Sequence, residues 1–475
     1  MDDLADDERI EGYLLSLDEA ALRALVFEAS LRDDALREKL LMAAAVAESK
    51  DLKSLRNVVE QATRTHGFVE WREAGNYANR LDDLAVLLEE RIAEGVPELV
   101  LLIEEAVSLA EAALQHIDDS GGEVMPAILH LQKVHLAACI ALRPDPVALG
   151  KRLHDYQIDG EWDTYSEVLP AYSAALGEAG LKVYRRRVED AWKALPQLNP
   201  EDYRNSWSSE RVRVEAAMEA IATHIGDFEL LLAVGMKNLS SPVRFLELAR
   251  LFQARDRIDE ALAWVERGVA AFPNERLDDL LSRGIELQLA RGTHAEAEAL
   301  AWHRFEMDAG CEAYFRLLEV ADQIDRRPEL RDKALAYLWE RVAEDESPIG
   351  MARRSRWEQP RRGEIVSIFL REGNADSMWE AFCGGSVAIE LWDRVAAERG
   401  KSHHEEAIAL YKRLLPHVVE GGARGSHYGE AFAIVKKIQA LRTAHKQLGI
   451  FGDELAGIRL EWKRKRNFQK LLDTL

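Results

Sequence analysis

Cysteine is scarce in this chain: Cys139, Cys311 and Cys383 are its only three in 475 residues. They lie far apart with no CxxC pair, which excludes a disulfide framework and a cysteine-built zinc site and suits a reducing compartment. Thirteen prolines and 29 glycines are too few for a collagenous, disordered or low-complexity chain. Uninterrupted apolar length is also missing. The longest greasy stretch, Val96 to Leu114, is broken by Glu98, Glu104, Glu105 and Glu111 and so does not read as a membrane span. The first residues, Met1-Asp2-Asp3 and then Asp6, Asp7 and Glu8, have neither the cationic start of a secretory signal nor the arginines of a transit peptide. Together these absences predict a soluble, cytoplasmic protein with no membrane partner. Positive charge is in deficit as well, and the net charge of −22 is a poor match for duplex DNA. It suits basic protein or peptide partners instead.

What is present is helical period. Almost every segment places apolar residues at i, i+3, i+4 and i+7, and none sustains the two-residue alternation of a strand. Leu81, Leu84, Leu87 and Leu88 form one stripe that ends at Gly95-Val96-Pro97; Leu99, Leu102, Ile103, Ala106, Leu109, Ala110 and Ala113 form the next. Asn199-Pro200 and Ser241-Pro242 place a capping side chain before a proline at the first helical position, so each predicts a helix start.

The second half repeats itself. From Arg244 to Asn274, the residues Ala249, Phe252, Ala261, Val265, Gly268 and Pro273 fall where a tetratricopeptide unit needs small, aromatic, small, large, small and Pro. Two antiparallel helices approach closely only where small residues sit at the crossing. Ala297, Ala334 and, about two periods later, Ala407 take the place of Ala261; Ile365–Phe369 and Met378–Phe382 read as another pair, broken at Gly373-Asn374. A lone hairpin cannot bury its stripe, so the units must stack. The expectation is an all-α chain of helical hairpins, a tetratricopeptide-like α-solenoid. An irregular hairpin region spans residues 1–240, and residues 241–475 form the repeat region, ending in a capping helix from Asp453 to Leu472. A concave face would be lined by first-helix residues such as Arg250, Gln253, Glu286 and Arg316.

Strings along nearly the whole chain carry a resemblance. They include Arg64-Thr65-His66-Gly67-Phe68-Val69 with Tyr77 and Ala78, His116 to Glu123, His135 to Cys139, and Arg143-Pro144-Asp145-Pro146. Further on stand Leu176 to Leu181 with Tyr184-Arg185 and Trp192, and finally Trp462 to Phe468. In this order they resemble an uncharacterised bacterial all-helical family, similar to the region that follows the zinc-binding module in SWIM-type zinc-finger proteins. That module needs a CxC pair, and this chain has none. The resemblance therefore implies a helical-repeat protein without a known catalytic activity and without the module's zinc.

Few residues suggest chemistry. In Asp118-Asp119-Ser120-Gly121-Gly122-Glu123, one of the two glycines is expected at positive φ and Asp119 or Ser120 is expected to cap the next helix; EF-hand spacing is absent. Arg143, pushed out of the α region by Pro144, would reach Asp118 or Asp119 if the hairpin brought its ends together. His130 and His135 are five residues apart and do not share a helix face, no HExxH motif occurs, and His135 reads as a hydrogen-bonded core residue. His403-His404 is a weak metal hint. Gly421 to His427 lacks the Lys-[Ser/Thr] of a phosphate loop and reads as an inter-repeat turn. No catalytic, cofactor or metal residues are expected. Two basic islands remain as candidate partner surfaces. The first is Arg353, Arg354, Arg356, Arg361 and Arg362 around Trp357; the second is Lys463, Arg464, Lys465 and Arg466, with Lys470, on the last helix. The first would alternatively spend its arginines on Glu344, Asp345, Glu346 or Glu358. The expected role is a non-catalytic scaffold or adaptor, with a nucleic-acid accessory role as the alternative and an enzyme as the weakest reading.

Overall fold

A computed structural model describes residues 2–203, 208–355, 358–421 and 427–475. Among them all regular structure is helical, apart from two isolated backbone bridges, Val69 with Ile117 and Leu198 with Asn238. The chain is all-α, and its contacts divide it into two compact units, Met1–Arg244 and Phe245–Leu475.

In the first unit the leucine stripes are the core. Leu81, Leu84 and Leu88 from the helix Trp71–Arg91 are buried, as are Leu99, Leu102, Ile103, Ala106 and Ala110 from Leu99–Ala113. Both helices pack on a third, Val124–Leu142. That helix corrects the expectation from Val96 to Leu114, because among the described residues it is the one long and apolar enough to cross a membrane by length and composition. Its Val124, Ile128, Leu131, Val134 and Ala138 are instead spent inside the unit, where burying each large apolar side chain contributes about 1.5–3 kcal/mol. Asn199-Pro200 begins only a short 3-10 turn, Pro200–Asp202, and the next long helix starts at Ser209, capped by Ser208. Leu198 is held in its bridge by hydrogen bonds with Lys237 and Leu239, which ties the chain down just before the expected start.

The second unit is a run of antiparallel hairpins. Ala261, Ala297, Ala334 and Ala407 are all fully buried at the positions the repeat assigned to small residues. The reason is steric. A Cβ added to Gly268 would come within 2.6 Å of Leu280 and 2.8 Å of Phe245, and one on Gly284 within 2.9 Å of Leu300 and of Val265. Gly373 takes φ +73° and Asn374 caps Ala375–Cys383, so the pair around residues 365–382 is a true hairpin. The capping helix is not continuous: Leu448–Glu461 and Arg466–Leu472 are separate. Trp462 and Phe468 are both buried, yet six positions on one helix lie about 120° apart. The break between them lets both rings enter the core.

Candidate functional site

The densest polar chemistry lies inside the first unit. Glu104 emerges from the apolar Leu99–Ala113 helix and is 3% exposed. It accepts from His135 Nε2 at 2.9 Å, from Arg152 Nε at 2.8 Å and from the Tyr156 hydroxyl at 3.0 Å. His135, fully buried, meets the Tyr172 hydroxyl through Nδ1 at 2.9 Å, and Gln132 Nε2 donates to the same hydroxyl at 2.9 Å. The network joins three helices and the turn that precedes Ser173–Ala194. Burial alone would raise the Glu104 carboxyl, but hydrogen bonds and charge from His135 and Arg152 outweigh it and hold the group below its ordinary value.

Cys139 Sγ lies 3.4 Å from His135 Nε2, the same nitrogen that meets Glu104, so thiol and carboxylate share one edge of the imidazole instead of flanking it as a nucleophile, base and acid in relay do. The environment works against that chemistry. Burial, with the Glu104 charge behind it, pushes the Cys139 thiol up to about 12, whereas a nucleophilic cysteine needs its thiolate stabilised. Burial likewise raises the Tyr172 and Tyr156 hydroxyls. The arrangement satisfies buried polar groups and fixes the register of the helices that carry them. His135 is the core residue the sequence suggested; its partners Glu104 and Tyr172, and Arg152, which shares Glu104, were not singled out. The available signal was a carboxylate embedded in an apolar helix, Ile103-Glu104 before Ala106.

The Asp118 loop is a cap. Asp119 Oδ1 accepts from the backbone N–H groups of Glu123 at 2.8 Å and Val124 at 3.0 Å, Asp118 accepts from Ser120 N–H at 3.1 Å, and the positive φ belongs to Gly122 rather than Gly121. Val69 bridges Ile117 beside it, which ties the string 64–69 to this loop. Arg143 does not reach Asp118 or Asp119. It ends Val124–Leu142 in the left-handed region, at φ 48°, while the aspartates precede the start of the same helix, about 28 Å away at 1.5 Å per residue. His130 pairs with Asp82 at 2.8 Å. Residues Asp34, Lys39, Arg64, His66, Asn76 and Arg80 line part of a surface cleft of about 290 Å³. Among the described residues one group has metal-ligand proximity, His154, Asp155 and Asp159, with ligand atoms within 4.8 Å of one another. There Asp155 Oδ1 already takes His154 Nδ1 at 2.9 Å and Arg187 at 2.5 Å, and a guanidinium on the carboxylate opposes a cation.

In the second unit the first basic island separates by partner. Arg354 is forked onto Asp345 at 2.6 and 3.2 Å. Arg362 is buried, paired with both Glu346 oxygens at 2.6 Å, and donates to the Ala381 carbonyl. Arg353 and Arg361 are exposed. Arg356 and Trp357 lie outside the described residues, as does the run from Gly422 to Ser426. Arg361 lines two neighbouring clefts that share Asp345. One, of about 420 Å³, includes Asp308, Glu312, Arg316, Glu358 and Glu364; the other, of about 770 Å³, includes Glu344, Ile349 and Arg353. Cys311 also lines the first cleft, and burial pushes its thiol up to about 11. Of the four expected groove residues, Arg316 lines the first cleft; Arg250 and Glu286 are exposed and Gln253 is half-buried. Lys463 and Arg464 stand exposed on the turn after Trp462, Lys465 is half-buried, and Arg466 begins the final helix. His404 stacks face to face on His445, with ring centroids 3.6 Å apart, an arrangement that presents ring faces to each other instead of two nitrogens to one ion.

Comparison with known proteins adds a family. Residues 11–337 match the model of DUF6880, described as a family of unknown function, so this chain belongs to that family. No curated protein matches it. A solved structure described as "Circular tandem repeat protein with novel repeat topology and enhanced subunit contact surfaces" is 16% identical, covering 96% of each chain, with a TM-score of 0.15. At that score the architecture rests on the packing described above.

Proposed function

We propose that this member of a family of unknown function is a non-catalytic scaffold or adaptor that holds another protein or a peptide on its helical hairpins. The observation that carries the reading is the pair of open clefts sharing Asp345 and Arg361. They lie where the ends of Cys311–Gln323, Arg327–Asp345 and Arg362–Glu372 meet. Asp308, Glu312 and Glu358 are surface carboxylates paired with Arg276, Arg371 and the Ser355 N–H, and their remaining lone pairs can accept from lysine or arginine side chains; Arg361 offers a fork for a carbonyl or carboxylate, which suits an extended segment of net positive charge. The excess of 84 acidic over 62 basic residues favours the same partner. A cytoplasmic setting and a tetratricopeptide manner of recognition belong to this reading. So does the sealed state of Cys139 and His135, which serve the interior rather than a substrate.

Affinity purification from the native host with mass spectrometry, followed by calorimetry with the purified partner, tests it. The double variant Glu312→Lys/Glu358→Lys is expected to bind at least tenfold more weakly. Unchanged affinity would remove the clefts from the reading, and the absence of any discrete partner would remove the scaffold. A second reading, nucleic-acid association, is favoured by the exposed Lys463-Arg464 turn together with the resemblance to the helical region of SWIM-type proteins. It requires affinity for single- or double-stranded probes that falls steeply with salt.

A further inference from the structure

Two neighbouring clefts of the first unit share a wall. One, of about 290 Å³, is lined by residues 64–66, Val69 and the first half of Trp71–Arg91; the other, of about 250 Å³, lies between Asp34–Glu48 and Leu52–Thr63. Glu38, Met42 and Arg80 line both. Beyond those three, the smaller lobe is apolar except for Gln61, with Leu41, Ala45, Val58 and Ala62 as its walls, whereas the larger lobe carries charge of both signs. Arg80 stands out at the shared wall. An arginine withdrawn from water ordinarily finds a counter-charge. Among the described residues of the first unit, every other arginine that is buried or half-buried reaches a carboxylate, from Arg91 with Glu94 to Arg244 with Glu215. Half-buried Arg80 instead donates through Nε to the Ala62 carbonyl at 2.8 Å and through Nη2 to the Arg64 carbonyl at 3.2 Å. It also lies over the Tyr77 ring, whose hydroxyl is fixed on the Thr63 carbonyl at 2.8 Å.

Neutral groups thus hold the Arg80 guanidinium in place and leave its charge unspent, which prepares it to take a carboxylate without first freezing a long side chain. Arg64, exposed beside it, has no side-chain partner among the described residues, and neither has Glu38. A bare anion does not fit, because Asp34 and Glu73 line the same lobe; Asp83 does too, with its carboxylate taken by Lys39 at 2.6 Å. A lobe with both signs suits a molecule that carries both. Glu38 supplies an acceptor for an ammonium group, and Glu38 and Arg80 stand where the charged lobe meets the apolar one. A carboxylate, an ammonium and an apolar branch on one carbon are the parts of an amino acid. We propose that the two lobes form a binding site for a free α-amino acid with an apolar side chain, its carboxylate on Arg80 and Arg64, its ammonium on Glu38 and its side chain against Met42, Ala45, Val58 and Ala62. Concave sites of this kind, apolar with a few placed polar groups, are the usual form of small-molecule pockets. This site uses none of the residues of the Asp345 clefts.

Calorimetry on the full chain with L-leucine, L-methionine and L-phenylalanine, each titrated alone, tests it. At least one is expected to bind saturably and at least tenfold more tightly than glycine, which lacks the side chain, and than its own counterparts without the amino or the carboxyl group. For leucine these are 4-methylpentanoate and 3-methylbutylamine. Glu38→Gln is expected to weaken that binding at least fivefold with unchanged thermal melting, since the side chain is exposed and unpaired among the described residues. Arg80→Lys, which keeps the charge but loses the fork, is expected to weaken it at least tenfold. Absence of binding by all three amino acids overturns the proposal. Equal affinity for the deaminated acid, or unchanged affinity of Glu38→Gln, does so as well.

Discussion

The two units secure their helices with polar groups arranged in different ways. In the first, two interior networks tie together segments far apart in sequence: one centred on Glu104 with His135, Arg152, Tyr156 and, through His135, Tyr172, the other on Glu215 with Arg211, Asn238 and Arg244. In the second, the same task is distributed among arginines that each reach a carboxylate on another helix: Arg331 to Glu372, Arg362 to Glu346, Arg399 to Asp376 and Glu406, and Arg442 to Glu454 and Glu405. A repeated hairpin can reuse a local clamp at each junction. An irregular bundle has no such period, so its polar groups converge on a few interior carboxylates, Glu104 and Glu215, where every member must be satisfied. The difference predicts unequal costs of damage: concentrated in the first unit, divided in the second.

The largest effect is expected from Glu104→Ala, which leaves His135 and Arg152 without their acceptor. Removing one member of a buried ionic network costs about 3–5 kcal/mol, and hydrogen exchange in the Val124–Leu142 helix should report the loss. The pH dependence follows from direction. The folded carboxyl lies below its unfolded value, so its contribution is complete above about pH 4.3, the ordinary glutamate value, and is lost as pH falls through the folded value. Glu104→Gln should therefore flatten the acid limb of first-unit stability. The second-unit slope, set by Glu372 and Glu454, which are also held low against burial by their arginines and neighbouring donors, should remain. A slope lost equally in both units would break the comparison.

A smaller loss is expected from Arg442→Leu. Glu454 keeps Lys412 at 2.7 Å and Glu405 is exposed to water, so the cost is about 2 kcal/mol by urea denaturation. A loss as large as that of Glu104→Ala would show that the clamps do not share the load. Comparable and smaller effects belong to glycines. Gly268→Ala should cost about 1–3 kcal/mol through overpacking against Leu280 and Phe245. Gly457→Ala, on a helix and with nothing within 4 Å, should raise stability by up to about 1 kcal/mol. Thermal melts of the two variants side by side check whether the repeat's small residues serve the crossing itself.

How much of this was legible depends on sequence distance. The alanines at 261, 297, 334 and 407 could be read because the need for a small residue recurs with the hairpin. The Asp119 cap could be read because donor and acceptor are neighbours in the chain. The partners of His135 could not: Glu104 stands 31 residues before it and Tyr172 37 after it, and no local pattern joins them. Arg362 looks like Arg353 in the sequence, yet one is buried against Glu346 and the other faces water. The break after Glu461 carried no proline or glycine to announce it, since its cause is that Trp462 and Phe468 must enter one core.

The sequence by itself determined that the chain is helical, where its small residues fall and which loops cap its helices. These follow from periodicity and from hydrogen bonds a few residues long. Tertiary structure alone decided which charges are spent and which are offered, and which apolar stripes are covered. Solvation and pairing depend on neighbours that the chain brings together only when its helices pack.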